Sequence, residues 1–171
     1  MVLQRLAGRF APPWNALVRG LESAQPLAQL LARLYIGKVF FLSGLTKLRD
    51  WDTTLALFTD EYHVPILPPH LAVVTGTAGE VGLSILLVLG FGGRFAALGL
   101  FVLNFVAANS LSEIAPAALQ QHVFWGSLLA GLALWGPGKW SIENWWGSVS
   151  GRRPDTEENG QSFGRKTSVI G

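Results

Sequence analysis

Four apolar stretches, each close to the length needed to cross a lipid bilayer, restrict the fold of this chain more than any other feature. They lie at residues 27–48, 71–89, 94–111 and 122–135. A spanning helix needs about 20 apolar residues, and the fourth stretch approaches that length only with Gln120 or Gln121 included. Charged residues make up 14% of the chain, against about 25% in average soluble proteins. We therefore predict an all-α integral membrane protein, folded as an antiparallel four-helix bundle.

The basic residues are distributed unevenly around these stretches. Nine Lys and Arg residues fall in the two termini and the second connection, whereas two fall in the first connection and none in the third. Because basic residues concentrate on the cytoplasmic side, both termini are predicted to be cytoplasmic, in a multi-pass protein of the cytoplasmic (inner) membrane. We predict a cytoplasmic arm with an interfacial helix at 1–26, a transmembrane domain at 27–146 and a disordered, Gly-, Ser- and charge-rich tail at 147–171.

Apolar residues at helical spacing outside the four stretches indicate short amphipathic helices lying on the membrane surface. One stripe is predicted on the outer side, with Asp52 as its N-cap, and a second on the inner side. The outer stripe consists of Trp51, Leu55, Phe58 and Tyr62, and the inner stripe of Trp14, Leu17, Val18 and Leu21. Trp140, Trp145 and Trp146 are predicted to lie in the inner aromatic belt.

Composition excludes several functional classes. The chain has no cysteine, which rules out disulfides, thiol catalysis and covalent haem attachment, so no covalently bound cofactor is expected. The three histidines, His63, His70 and His122, do not show metal-ligand spacing, and we predict no metal site. The pI is near 9.3, but the basic residues lie mainly in the termini and membrane flanks. We therefore predict that the basic residues contact the lipid bilayer and that the protein does not bind nucleic acid.

Four ionisable residues interrupt the apolar stretches: Arg33, Lys38 and Lys47 in the first and Glu80 in the second. An ion at depth in lipid costs at least a few kcal/mol unless it is paired or faces a polar cavity. At a rise of 1.5 Å per residue, Glu80 and Lys38 lie about 15 Å from the inner surface, and Arg33 about 9 Å from it. The spacing predicts that Glu80 pairs with either Arg33 or Lys38.

Such a charge set has two interpretations. It is either a structural ion pair between the first two helices or the wall of a polar pocket. Because basic residues outnumber Glu80, a pocket would attract a small anion or an electron-rich carbonyl such as a quinone oxygen. Other candidate polar residues lie near the outer ends of the helices, where they are predicted to line a mouth. The candidate pocket thus comprises Arg33, Lys47, Glu80, His122 and Asn109, while the role of Lys38 stays open.

Several motifs resemble those of the DoxX/DoxD-type membrane proteins. They are RLYIG at 33–37, FLSGLTKL at 41–48, GEVG at 79–82 followed by LLVLG at 86–90, and GPGKWSIE at 136–143, with Glu143 in place of the usual Asp. The resemblance extends from about residue 28 to 145. It implies a four-helix protein of the cytoplasmic membrane, with Arg33, Lys47, Glu80 and His122 as family-type polar residues. Members of this family are associated with a terminal quinol oxidase and with thiosulfate:quinone oxidoreductase.

Two functional hypotheses remain open from the sequence. The first is a redox-associated membrane subunit that binds quinone, with the redox centre on a partner because the chain has no residues to hold one. The second is a non-enzymatic membrane module that transports or senses a small solute or anchors a soluble partner. Both imply a partner protein or a homo-oligomer. Whether the chain is an enzyme, and what its substrate is, the sequence does not decide.

Overall fold

The computed structural model describes residues 2–62, 64, 66–111 and 113–149, with side chains from Trp14 onward. These residues form six α-helices, which confirms the all-α prediction. The helices are α1 (Val2–Arg49), α2 (Trp51–Asp60), α3 (Pro69–Leu89), α4 (Gly93–Ser110), α5 (Pro116–Trp135) and α6 (Ile142–Val149).

Each predicted stretch coincides with a helix, and three of them are long and apolar enough to cross a membrane. Those three are Trp14–Arg49, Pro69–Leu89 and Gly93–Ser110. The helix α5 has 20 residues, but Gln120, Gln121 and His122 lower the hydropathy of its first half. The described residues therefore indicate a membrane protein with three candidate spans.

The first helix is longer than the sequence predicted. It runs unbroken from Val2 to Arg49, so the expected boundary near residue 26 is not a break in secondary structure. Pro26 lies inside it, although proline has no backbone N–H to donate to the preceding turn. The predicted inner apolar stripe lies on this helix, with Trp14 and Leu21 each 63% exposed. The arm is thus continuous with the first span.

The helices α1, α3, α4 and α5, here called the core helices, share one hydrophobic core. In it α3 packs between α1 and α4, and α5 contacts both α4 and α1. Two glycines of α1 let α3 approach closely: a Cβ at Gly37 would collide with Val88, and one at Gly44 would lie 2.6 Å from Val81 Cγ2. The core consists of Ile36, Phe40, Leu87, Ala96, Ala97, Leu100, Leu129 and Leu132.

The short helices lie at the two ends of the core. The short helix predicted from the stripe that begins at Trp51 is present as α2, which packs against α3. Its N-cap is Asp50, whose carboxylate accepts from the Thr53 amide at 3.2 Å. Asp52 instead occupies the first turn, so the predicted cap was wrong by two residues. Residues 147–149 end α6, and the rest of the predicted tail lies outside the described residues.

Candidate functional site

A salt bridge between α1 and α3 is the main polar contact at the interface of the two helices. Lys47 Nζ donates to both carboxylate oxygens of Glu80, at 2.8 and 2.6 Å, and to Ser43 Oγ at 2.9 Å. The two charged side chains are 23% and 12% exposed. An ammonium has three hydrogens, so these three acceptors saturate Lys47. The pair neutralises both charges and joins the helices.

The predicted pairing of Glu80 with Arg33 or Lys38 was wrong, and with it the shared Arg33/Glu80 pocket. The reason is register: Gly44 faces Glu80 and Val81, whereas Arg33 lies beside Gly90, ten residues further along α3. Ten helical residues span about 15 Å, which is beyond the reach of an arginine side chain. Lys47 follows Gly44 by three residues, and helical side chains point toward the N-terminus of their helix, so its ammonium reaches Glu80 on α3.

Arg33 instead lies at the opposite end of the core helices, under the loop that follows α5. Its side chain is 1% exposed, and Nη2 donates to the carbonyl of Trp140. Nε and Nη1 have no hydrogen-bond partner within the described part of the chain. A Cβ at Gly90, where φ is +69°, would collide with Nη1. Arg33 thus supports the loop and leaves no room there for a side chain at residue 90.

The same loop is also fixed to the turn between α3 and α4. The amide of Glu143 donates to the carbonyl of Gly90 at 3.2 Å, and the Gly93 amide donates to Glu143 Oε2 at 3.4 Å. Ser141 Oγ donates to the Gly138 carbonyl at 2.8 Å. The motif at 136–143 therefore closes this end of the protein, and Arg33 has a structural contact there.

Lys38 does not belong to either cluster. It is exposed on α1, whereas Arg33, Ile36, Gly37 and Phe40 of the same helix are buried. Its side chain therefore faces away from the core, toward lipid or a neighbouring protein. Glu80 faces Lys47 alone among the described cations, so the three basic residues of the first stretch do not gather around this acid as the sequence suggested.

Two buried hydroxyls extend the polar face of α3. Thr77 and Ser84 are 2% and 1% exposed, and neither hydroxyl has a partner among the residues that the structure describes. They flank Glu80 at three and four residues, which is one helical face. Sequence reasoning missed both, because single Thr and Ser residues in an apolar helix are common and carry no distinctive signal.

A second polar pair joins α4 and α5. Asn104 Nδ2 donates to the backbone carbonyl of His122 at 2.9 Å, and His122 Nδ1 lies 2.9 Å from Asn104 Oδ1. Asn104 is 5% exposed. Asn104 therefore forms hydrogen bonds that join α4 to α5. The Trp125 ring meets His122 edge to face, with centroids 5.2 Å apart.

His122 and Asn109 both line a groove on the surface of α4 and α5. The groove has a volume of about 380 Å³. Phe105 and Val123, which line it, are 61% and 62% exposed, so it opens sideways from the protein. The walls are mainly apolar, and the remaining lining residues are Phe101, Asn104, Ala108, Leu119, Gly126, Ser127 and Ala130. Here the groove is called the α4–α5 groove.

The candidate residues therefore lie at three separate sites in the structure. Lys47 and Glu80 bind each other, His122 and Asn109 line the α4–α5 groove, and Arg33 holds the closing loop. Gly79 faces Leu103, so Glu80 and Asn104 lie at about the same level along the core helices. No three His, Asp or Glu side chains of the described residues approach one another closely enough to hold a metal.

Comparison with known proteins identifies the family. No curated protein and no solved structure matches the chain. The DoxX family model matches residues 28–113, which is half of the 171 residues and covers Arg33, Lys47, Glu80, Asn104 and Asn109. His122 and the closing loop lie beyond the matched part. This chain belongs to the DoxX family of membrane proteins.

Proposed function

We propose that α5 is a fourth membrane span, so that the core helices form an antiparallel four-helix bundle with both termini in the cytoplasm. The length of α5 and its packing on α4 and α1 support this, as does the uneven distribution of Lys and Arg. In this arrangement the Lys47–Glu80 pair and the α4–α5 groove lie within the outer half of the cytoplasmic membrane.

Cysteine labelling tests this topology, because the chain has no cysteine of its own. Single variants Ser23→Cys, Glu113→Cys and Lys139→Cys in intact cells are treated with a membrane-impermeant maleimide. Only Glu113→Cys should react before the cells are opened, whereas the other two should react after lysis. If the variants at 113 and 139 react alike in intact cells, α5 does not cross the membrane.

Within this topology we propose that the protein is a redox-associated membrane subunit that binds a quinone in the α4–α5 groove. The observation that carries the proposal is the groove itself. Ligand sites are typically concave, mostly apolar and furnished with a few polar groups, and this one combines aromatic walls with His122 and Asn109. Its opening faces the bilayer, so a lipid-soluble ring can enter from the side.

The Lys47–Glu80 pair is a poorer ligand site. Lys47 has no free hydrogen to offer a carbonyl, since all three are directed at Glu80 and Ser43. A ligand there would have to break a charge-assisted bond, and such bonds are about twice as strong as neutral ones. The pair is therefore assigned to holding α1 and α3 together, and the redox centre to a partner protein.

Quinone binding is measured with the full chain in lipid nanodiscs. Decylubiquinone should quench the fluorescence of Trp125 saturably, because this ring lies against His122. Gly126→Leu should weaken binding at least tenfold, since a Cβ at Gly126 already lies 3.3 Å from Asn104 Nδ2 and the longer side chain fills the groove. The matched control is Gly82→Leu, because a Cβ at Gly82 meets no atom within 4 Å. Unsaturable quenching in the wild type would refute the proposal.

One observation favours a second candidate, the non-enzymatic module that anchors a partner. Lys38 is exposed within the first span, where a charge is costly unless it is neutralised. A photo-crosslinker at residue 38 should yield a defined protein adduct in the native membrane under this hypothesis. The control position is Val102, which is 57% exposed on α4. Only lipid adducts at both positions would count against a partner on this face.

A further inference from the structure

The hydrogen bonds of Asn104 fix the proton on the ring of His122. A backbone carbonyl only accepts, so the Asn104 atom facing the His122 carbonyl must be the amide nitrogen. The other amide atom, the oxygen, then faces His122 Nδ1 at 2.9 Å. An oxygen acceptor requires a hydrogen on Nδ1. In the neutral imidazole the lone pair is therefore on Nε2.

His122 thus presents an acceptor, and its orientation is fixed. Nε2 makes no hydrogen bond to any described residue, whereas Nδ1 is engaged. Trp125 packs edge to face on the ring and is itself anchored through its indole N–H, which lies 3.3 Å from the Tyr35 hydroxyl. The ring is held by Asn104 on one edge and by Trp125 beside it.

The other polar side chains of the groove also use their hydrogens internally. Ser127 Oγ donates to the carbonyl of Val123 at 2.8 Å, and Asn109 Nδ2 donates to the carbonyl of Phe105 at 2.7 Å. What these groups leave for a ligand is mainly lone pairs, on the Ser127 hydroxyl and on the Asn109 amide oxygen. The second amide hydrogens of the two asparagines are the exceptions.

We infer that the α4–α5 groove selects a ring that carries hydroxyl groups, and so binds a hydroquinone in preference to the corresponding quinone. This inference rests on the proposed function of the groove as a quinone-type site. A hydroquinone O–H can donate to His122 Nε2. A quinone carbonyl has no hydrogen to donate and would place the lone pair of its oxygen against the lone pair of Nε2. A site built to bond a hydroxyl rejects an analogue without it, because its own polar group is then left unpaired.

The inference is tested with three ligands that share one decyl-substituted ring: the hydroquinone, the quinone and the hydroquinone dimethyl ether. Binding is measured in nanodiscs under a reductant for the hydroquinone, which is safe because the chain has no disulfide to reduce. The hydroquinone should bind at least tenfold more tightly than either of the others, which corresponds to about one good hydrogen bond.

Three variants give the test its controls. His122→Phe keeps an aromatic ring against Trp125 and should lower hydroquinone affinity to that of the dimethyl ether, while quinone affinity does not fall. That retained quinone binding shows that the variant is folded. Asn104→Leu removes the oxygen that keeps the proton on His122 Nδ1, so that Nε2 can carry the proton instead. The ratio of hydroquinone to quinone affinity should then drop toward one. Lys38→Met, on the exposed face of α1 and outside the groove, should leave the ratio within twofold.

The outcomes separate the inference from the proposal beneath it. Equal affinity for quinone and hydroquinone would overturn the inference and leave quinone binding intact. A preference for hydroquinone that survives His122→Phe would also overturn it, because another group would then accept the hydroxyl. If none of the three ligands binds, both the inference and the proposed quinone site fail.

Discussion

Removing either member of the Lys47–Glu80 pair should strongly destabilise the packing of α1 on α3. Glu80→Met leaves the Lys47 ammonium with Ser43 as its sole described partner. Breaking a fully buried ion pair from one side costs about 3–5 kcal/mol. These side chains are 23% and 12% exposed, which lessens the penalty, so we expect a loss of about 2–3 kcal/mol in the free energy of unfolding.

The double variant separates the ion pair from the two side chains. Replacing both residues by Met removes both charges, and a buried pair replaced by apolar groups is typically neutral or stabilising. We therefore expect the free energy of unfolding of the Lys47→Met/Glu80→Met protein to lie within about 1 kcal/mol of the wild-type value. The coupling energy in the cycle should then reach about 2 kcal/mol or more.

The assay is reversible unfolding by sodium dodecyl sulfate in mixed micelles, followed by tryptophan fluorescence and helical circular dichroism. Lys38→Met is the matched control, because it removes an exposed lysine from the same helix and should change stability by less than about 0.5 kcal/mol. If the effects of the two single variants at 47 and 80 simply add in the double variant, the salt bridge does not couple the helices and our account of it is incorrect.

Three further predictions concern packing. Gly44→Ala should lower the free energy of unfolding by about 1–3 kcal/mol, because its Cβ would lie 2.6 Å from a Val81 methyl, whereas Gly82→Ala, with no atom within 4 Å, should lose nothing in the same assay. Arg33→Met removes the donor to the loop after α5, so trypsin should cut after Lys139 at least about threefold faster than in the wild type; an unchanged rate would contradict this role. Thr77→Val removes a buried hydroxyl without a described partner and should raise stability by about 0.5–1.5 kcal/mol, and a marked loss would show that the hydroxyl is bonded.

The sequence predicted the helices well because their signals are local. Apolar length located α3 and α4 to within two residues, and Pro69 and Gly90 lie at the two ends of α3. The start of α5 at Pro116 was missed by six residues, since its first turns are polar or small and resemble a connection. The continuity of α1 through Pro26 was missed for a different reason: proline usually marks the end of a helix.

The pairing of charges was less predictable because it depends on register between helices. Depth estimates from each helix end suggested Arg33 or Lys38 as the partner of Glu80, but the close approach at Gly37 and Gly44 sets α1 against α3 so that Lys47 meets the acid. The Asn104–His122 pair joins residues 18 positions apart on neighbouring helices. Only coordinates show that both atoms of one amide face a single histidine.

Pro26 gives α1 a joint between two regions with different surroundings. The carbonyl of residue 22 has no amide hydrogen to accept there, and prolines inside helices are common sites of bending. On its N-terminal side the face with Trp14 and Leu21 is exposed, whereas Arg33 on its C-terminal side is buried under the loop that follows α5. The helix is therefore one backbone hydrogen bond short at the point where its exposed and its buried parts join, and a bend would cost least at that point.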